Sequence, residues 1–222
     1  VSNPVAVHVV TLRSTNVIVD DSMTVYDSLI LNAENWTQNG DLYWIGGTGD
    51  FGGTNIPYLR TITNSGFLWI NDVGIFGSDR ETPLESLVNR GTMDTAGQLI
   101  DTEYFENSGL IQSVARLEVT MGVGKLDSGE SLSGGDATFT AEDLKLHAYS
   151  SYTGGRLVLN VSHSLSDTGG GAGNEIIAVR GINLVQKPLL GDLLGTRIET
   201  TADARSVTHQ FWSADDRGVA VA

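Results

Sequence analysis

The feature that most constrains this chain is a turn spelled Asn-x-Gly, which returns at near-regular intervals, each time ahead of a short β-prone run. It stands at Asn64-Ser65-Gly66, Asn89-Arg90-Gly91 and Asn107-Ser108-Gly109, with looser copies ending at Gly40, Gly135 and Gly155. The glycine steps through 40, 66, 91, 109, 135 and 155, at intervals of 26, 25, 18, 26 and 20. A period of roughly 20 to 26 residues holding one turn and one or two strands is the signature of a stacked solenoid.

The residue types fit that geometry. A coil must turn sharply without a long loop, and glycine accepts positive φ at no steric cost, with asparagine the best substitute. Stacking places equivalent side chains about 4.8 Å apart, so the asparagines can hydrogen-bond up and down as a ladder. The expectation is that Asn64, Gly66, Asn89, Gly91, Asn107, Gly109, Gly135 and Gly155 are turn positions at one corner of a rod. The apolar residue after each glycine is expected to point into the core. About seven coils would make a rod on the order of 35 Å long.

Local patterning agrees. Val5, Val7, Val9 and Leu12, then Met23, Val25, Leu29 and Leu31, alternate as in strands, and Leu42 to Ile45 and Phe67 to Ile70 continue the series. Helical signals are weak, with Thr82 to Arg90 the one candidate turn, which argues against ankyrin, tetratricopeptide and βαβ architectures. The fold class is therefore all-β, a parallel β-solenoid with strand-rich terminal segments. The competing reading is a β-sandwich or jelly roll whose hairpins carry the same turns. The chain divides into an N-terminal strand or cap over 1–22, coils over 23–187, and a C-terminal strand-rich tail over 188–222 that caps the rod or takes part in assembly.

Composition narrows the function classes. Against 13 basic side chains stand 27 acidic ones, a formal charge of −14, and such a surface repels phosphate backbones and anionic lipid. Neither nucleic-acid binding nor membrane insertion is expected. With no cysteine in the chain, disulfides, zinc–thiolate sites and cysteine nucleophiles are excluded. Starting at Val1 rather than Met, the chain reads as processed or as a fragment.

Catalytic and metal signals are sparse. Gly46 to Gly53 partly matches calcium-binding nonapeptide repeats, but Asp50 falls one residue early, so calcium is the one cofactor left open and none is required. Asp20-Asp21 and Asp215-Asp216 could divide acid and base roles as in glycoside hydrolysis, yet the Gly-His-Gly and Arg-x-Lys that accompany such pairs in pectin-hydrolysing β-helices are missing. A lyase would need carboxylates and a base on one face of neighbouring coils, for which Asp101, Glu103, Glu106, Arg116, Glu118 and Lys125 are the candidates. His8, His147, His163 and His209 stand apart, with no metal-ligand spacing. Trp36, Trp44, Trp69 and Trp212, with Tyr43, Tyr58, Tyr104 and Tyr152, would form a sugar-stacking strip if several faced outward, and core packing is the alternative. Asn35-Trp36-Thr37 and Asn160-Val161-Ser162 fit the glycosylation sequon.

From Leu31 to about Val185 the Asn-x-Gly-apolar coils resemble those of exported bacterial β-helix proteins of the adhesin and autotransporter-passenger type. The resemblance implies a right-handed parallel β-helix on the cell surface, serving adhesion, matrix or filament formation without catalysis. Expected partners are further copies of the chain, joined through solenoid ends or terminal strands such as 5–12 and 191–200, and surface glycans. The alternative is a polysaccharide-binding or polysaccharide-cleaving β-helix.

Overall fold

The computed structural model describes residues 5–46, 49–51, 59–77, 83–167, 174–186, 189–190, 196–200, 207–210 and 220–221. It is an all-β parallel solenoid of about seven turns. Each coil contributes strands to three walls, and each strand pairs in parallel with its equivalent one coil along. The first wall begins with Asn16–Val19, Asn35–Gln38, Thr61–Asn64 and Leu84–Asn89. It continues through the last residues of Thr92–Asn107, Leu117–Asp127, Ala137–His147 and Arg156–Asp167. The second wall contains Leu42–Trp44, the start of Phe67–Phe76 and of Thr92–Asn107, then Leu110–Ser113, Glu130–Ser133, Ser150–Thr153 and Asn174–Ala178. Residues 74–76, 98–101, 117–121, 137–141 and 157–161 build the third. Hydrogen-bonded equivalents on successive coils lie 19, 26, 25, 18 and 20 residues apart. The long coils carry loops between walls, and the shortest runs as one strand, Thr92–Asn107, around all three.

The core follows from alternation on each wall. In the first wall Trp36, Ile62, Leu87 and Phe105 lie in register and are buried, and the column continues through Gly124, Leu144 and Leu165. Leu42, Leu68, Met93 and Ile111 make the matching column of the second wall. Each such aliphatic side chain removed from water contributes about 1.5–3 kcal/mol, and no coil gains this alone because its neighbours form the lid and floor. The first apolar residue after the glycine points inward as expected at Leu42, Met93, Ala137 and Leu157, and does not at the other two copies. Phe67 and Leu110 are half-buried on the outer surface, and the following residues, Leu68 and Ile111, fill the core. The Asn side chain itself takes the last inward position of the first wall, so alternation puts the next inward side chain after the glycine, not beside it.

Two polar columns line the corners inside the rod. At the first corner the Asn64 amide donates to Asn89 Oδ1 at 2.8 Å, and Asn89 donates to Asn107 Oδ1 at 2.7 Å. Each amide also reaches a backbone carbonyl of the next coil, Thr92, Leu110 and Glu130 in turn. The glycines here are dictated by close approach, since a Cβ on Gly66, Gly91 or Gly109 would collide with the carbonyl oxygen of the glycine one coil below. At the second corner Thr95, Ser113, Ser133 and Thr153 stack in register, and the first three bond carbonyls of their own turns, those of Gly97, Arg116 and Asp136.

That arrangement corrects the expected single glycine corner. Gly135 and Gly155 belong to the second corner, where a Cβ on either would strike Ala115 and Asp136 respectively. The first corner of those coils is formed instead by Ser128-Gly129 and Ala148-Tyr149, with Ser128 and Ala148 at positive φ (57° and 48°). Thr82 to Arg90 contains no helical turn in its described part, because Leu84–Asn89 joins the first wall with Leu84 and Leu87 buried. The terminal segments are coiled too. Val5–Arg13 pairs with Met23–Asn32, and Thr196–Thr200, Val207–Gln210 and Ala220–Val221 keep parallel register with the coils before them. Of the glycine-rich loop, Gly49–Phe51 is a short strand on Phe67–Phe76, and residues 47–48 and 52–53 lie outside the described residues, as does 169–173.

Candidate functional site

An elongated hollow on the rod's surface lies where the third wall bends into the first. Strands run through this bend unbroken, and their alternation slips so that two neighbouring residues face outward at Glu103-Tyr104, Gly122-Val123 and Glu142-Asp143, and three at Ser162-His163-Ser164. The slip leaves a groove of about 600 Å³ along the rod. One side is a column in strict register, Asp101, Thr120, Thr140 and Asn160, one residue per coil. Glu103, Glu142 and Ser162 line the bend itself, and Met121, Gly122, Ala141 and Val123 supply an apolar floor and edge. At the strand spacing, four coils extend about 14 Å.

The groove is acidic. Asp101, Glu103 and Glu142 line it, and among the described residues no lysine or arginine does. Partial burial pushes the Asp101 carboxyl above the ordinary aspartate range, because removing water penalises the ion. At the rim, His163 Nδ1 lies 2.6 Å from Asp143 Oδ1, and the Ser164 hydroxyl donates to the same oxygen. Those contacts, the serine's before the histidine's, hold Asp143 below the usual carboxylate range. The trio is not arranged for nucleophilic catalysis, because the serine proton is directed at the carboxylate and not at the imidazole.

The structure divides the six lyase candidates among separate surfaces. Asp101 and Glu103 reach the groove. Glu106 and Lys125 lie on the outer first wall, where Lys125 is 2.9 Å from Asp127 and 3.7 Å from Glu106. Arg116 and Glu118 pair with each other at 3.3 Å on the third wall. A base wanted beside the groove carboxylates is thus already engaged elsewhere. Among the described residues no three His, Asp or Glu side chains converge as metal ligands. Asp20 lies at the first corner and accepts from the Asn39 amide at 2.7 Å, while Asp215-Asp216 lie outside the described residues. His8 sits 2.9 Å from Asp27 and packs against Tyr26.

The aromatics split the same way. Trp36 and Trp44 are core residues, and Trp212 and Tyr58 lie outside the described residues. Tyr43, Trp69 and Tyr152 do face outward on the second wall, in one column with Asp94, Gln112 and Leu132 between them. Tyr43 also touches the Phe67 ring, with centroids 5.5 Å apart. Tyr104 faces outward on the first wall and donates its hydroxyl to Glu106 at 2.7 Å. Sequence reasoning missed the groove because Thr120, Thr140, Asn160, Glu142 and Ser162 become neighbours only through register. A period of 20 applied to Thr120 would have found the column, since it leads to Thr140 and Asn160.

The fold and the groove define a parallel β-solenoid with an acidic surface channel. No protein-family model matches the chain, and neither a curated protein nor a solved structure does.

Proposed function

We propose that this chain is a non-enzymatic structural element of an exported surface protein, a stiff β-solenoid rod that serves adhesion or filament formation outside the cell. The observation that carries the reading is the investment in rigidity. Parallel register runs from Val5 to Val221, and its two interior polar columns bond coil to coil or seal each turn. A long, evenly stacked rod suits display or assembly.

The surface suggests how copies would join. Val5–Arg13 and Asn16–Val19 each pair on one side only among the described strands. Val7, Val10, Leu12 and Val19 at that end are only half-covered. Val9, Ile18, Tyr26, Ile30, Tyr43 and Ile45, most of the exposed large apolar side chains, belong to the same early coils. An open edge with apolar interior beside it is a template for another strand, whereas the formal charge of −14 opposes association along the sides. Sedimentation velocity and electron microscopy over a concentration series test this, with end-to-end chains expected for the natural sequence. Val10→Lys and Thr11→Pro should return the rod to single particles. A rod that stays single at every concentration, or chains that persist in both variants, would remove the N-terminal edge from the mechanism.

The second reading, a glycan-binding solenoid, is favoured by the groove itself.

A further inference from the structure

We propose that the groove at the bend between the third and first walls binds a linear oligosaccharide of amino sugars with free ammonium groups. The inference does not depend on whether the rods assemble, since the groove lies on the side of the rod and the open edge at its end.

Shape is the first argument. The hollow is elongated along the rod and crosses four coils, about 14 Å at the strand spacing. A pyranose unit advances a linear chain by nearly one strand spacing, so three sugars can lie with one unit per coil. The lining is the second. Asp101, Thr120, Thr140 and Asn160 put one carboxylate, hydroxyl or amide on each successive coil, a repeating row of partners suited to a repeating row of sugar hydroxyls. The floor offers Met121, Ala141 and the bare backbone of Gly122, a shallow apolar surface for the C–H face of a ring. Backbone groups of these strands are already spent on the coils above and below, so the groove offers an extended peptide no ladder to join.

Charge selects among glycans. Three carboxylates face the groove, Glu103 and Glu142 on the bend and Asp101 on the column, and among the described residues no cation lines it. Uronates and sulfate esters would meet like charge at short range in a partly dehydrated site. Ammonium groups find partners there, and their approach favours the ionised form of Asp101 that burial opposes. Free glucosamine units therefore fit where N-acetylated or acidic units do not.

Titration calorimetry of the whole chain with a glucosamine trimer, its N-acetylated counterpart, a uronic-acid trimer and a lysine trimer tests the assignment. Expected is binding of the glucosamine trimer that weakens with salt, at least roughly tenfold above the other three. Glu142→Gln should cost about tenfold in affinity. Thr140→Trp and Ser162→Trp, each filling the groove from an outward-facing position, should abolish binding while circular dichroism and the melting curve stay those of the natural chain. Equal binding of the N-acetylated trimer would overturn the ammonium requirement, and tighter binding of the lysine trimer would overturn the glycan. Unchanged affinity in both folded tryptophan variants, or no binding by the natural chain, would overturn the site.

Discussion

The coils holding Asn64, Asn89 and Asn107 and the coils holding Leu126 and Leu146 turn the same corner by different chemistry. The earlier coils use a buried amide and a two-residue turn. Its amide satisfies a backbone carbonyl of the next coil and the amide of that coil. In the later coils leucine occupies the amide's register position, and one more residue enters the turn at positive φ, Ser128 and then Ala148. The Tyr149 hydroxyl reaches back to accept the amide proton of Asn107 at 3.1 Å, and the Tyr149 backbone N–H donates to Asn174 at 2.8 Å. A solenoid corner therefore demands a solution for its backbone polar groups and no particular residue. A ladder solves it once per coil, whereas the leucine type borrows a polar atom from farther along the stack.

The largest effect should come from cutting the ladder at its middle. Asn89 accepts from Asn64 and donates to Asn107 and to the Leu110 carbonyl, so Asn89→Leu strands partners on both neighbouring coils. At about 1–3 kcal/mol for each buried group left unpaired, the loss should be roughly 3–5 kcal/mol. Leu146→Ala in the other region removes only packing and a methyl-lined cavity should cost about 2–4 kcal/mol. Chemical denaturation of the two variants checks the ranking. Equal losses would mean that the amides act as space-fillers.

A lone buried amide sharpens the comparison from the opposite side. Gln98 is fully buried on the third wall, stacked between Gly74 and Leu117, and neither polar atom of its side chain has a hydrogen-bond partner among the described residues. If pairing is what makes the ladder amides stabilising, Gln98→Leu should raise stability by about 1–3 kcal/mol, read as a higher denaturation midpoint at unchanged slope. A loss of stability would show that Gln98 is paired in solution.

Tyr149 makes the later corner sensitive to base. Burial pushes its hydroxyl up to about 12 from 10.0, against smaller opposing contributions from Ser131 and Asn107. With the folded value above the unfolded one, this stability is fully present below pH 10 and is lost as pH rises from 10 toward 12. A shift of that size corresponds to about 2–3 kcal/mol at the upper end of the window. Tyr149→Phe should therefore cost about 1–2 kcal/mol at pH 7, by leaving Asn107 one acceptor short, and should flatten the decline above pH 10. Parallel pH profiles would show the hydroxyl has no special role.

Much of this contrast was legible in sequence, and what was not has a physical cause. Asn64, Gly66, Asn89, Gly91, Asn107 and Gly109 could be read because one corner demands an amide and a residue without Cβ together. Gly135 and Gly155 look the same in sequence because the second corner also brings backbones into close approach and so also selects glycine. Spelling alone cannot separate two corners with the same steric need. The tail lacks the Asn-x-Gly spelling, so Thr196–Thr200 and Val207–Gln210 announce strands but not their register. The groove was hidden more deeply, since Asp101, Thr120, Thr140 and Asn160 are ordinary outward residues until three registers align them.

The smallest effect tests the extra residue itself. Ala148 adopts φ 48°, a left-handed conformation that costs an L-residue with a Cβ about 1–2 kcal/mol, while a glycine there gives up about 0.5–1 kcal/mol in chain entropy. Ala148→Gly should thus gain roughly 0.5–1 kcal/mol. The two-residue turns of the earlier coils have no such reserve, because their glycines are already present for close approach. A gain in Ala148→Gly, seen as a small rise in melting temperature, would mean that the leucine-type corner carries strain which its packing offsets. A loss would place the advantage of alanine in the unfolded chain, and the two corners would then differ in hydrogen bonding alone.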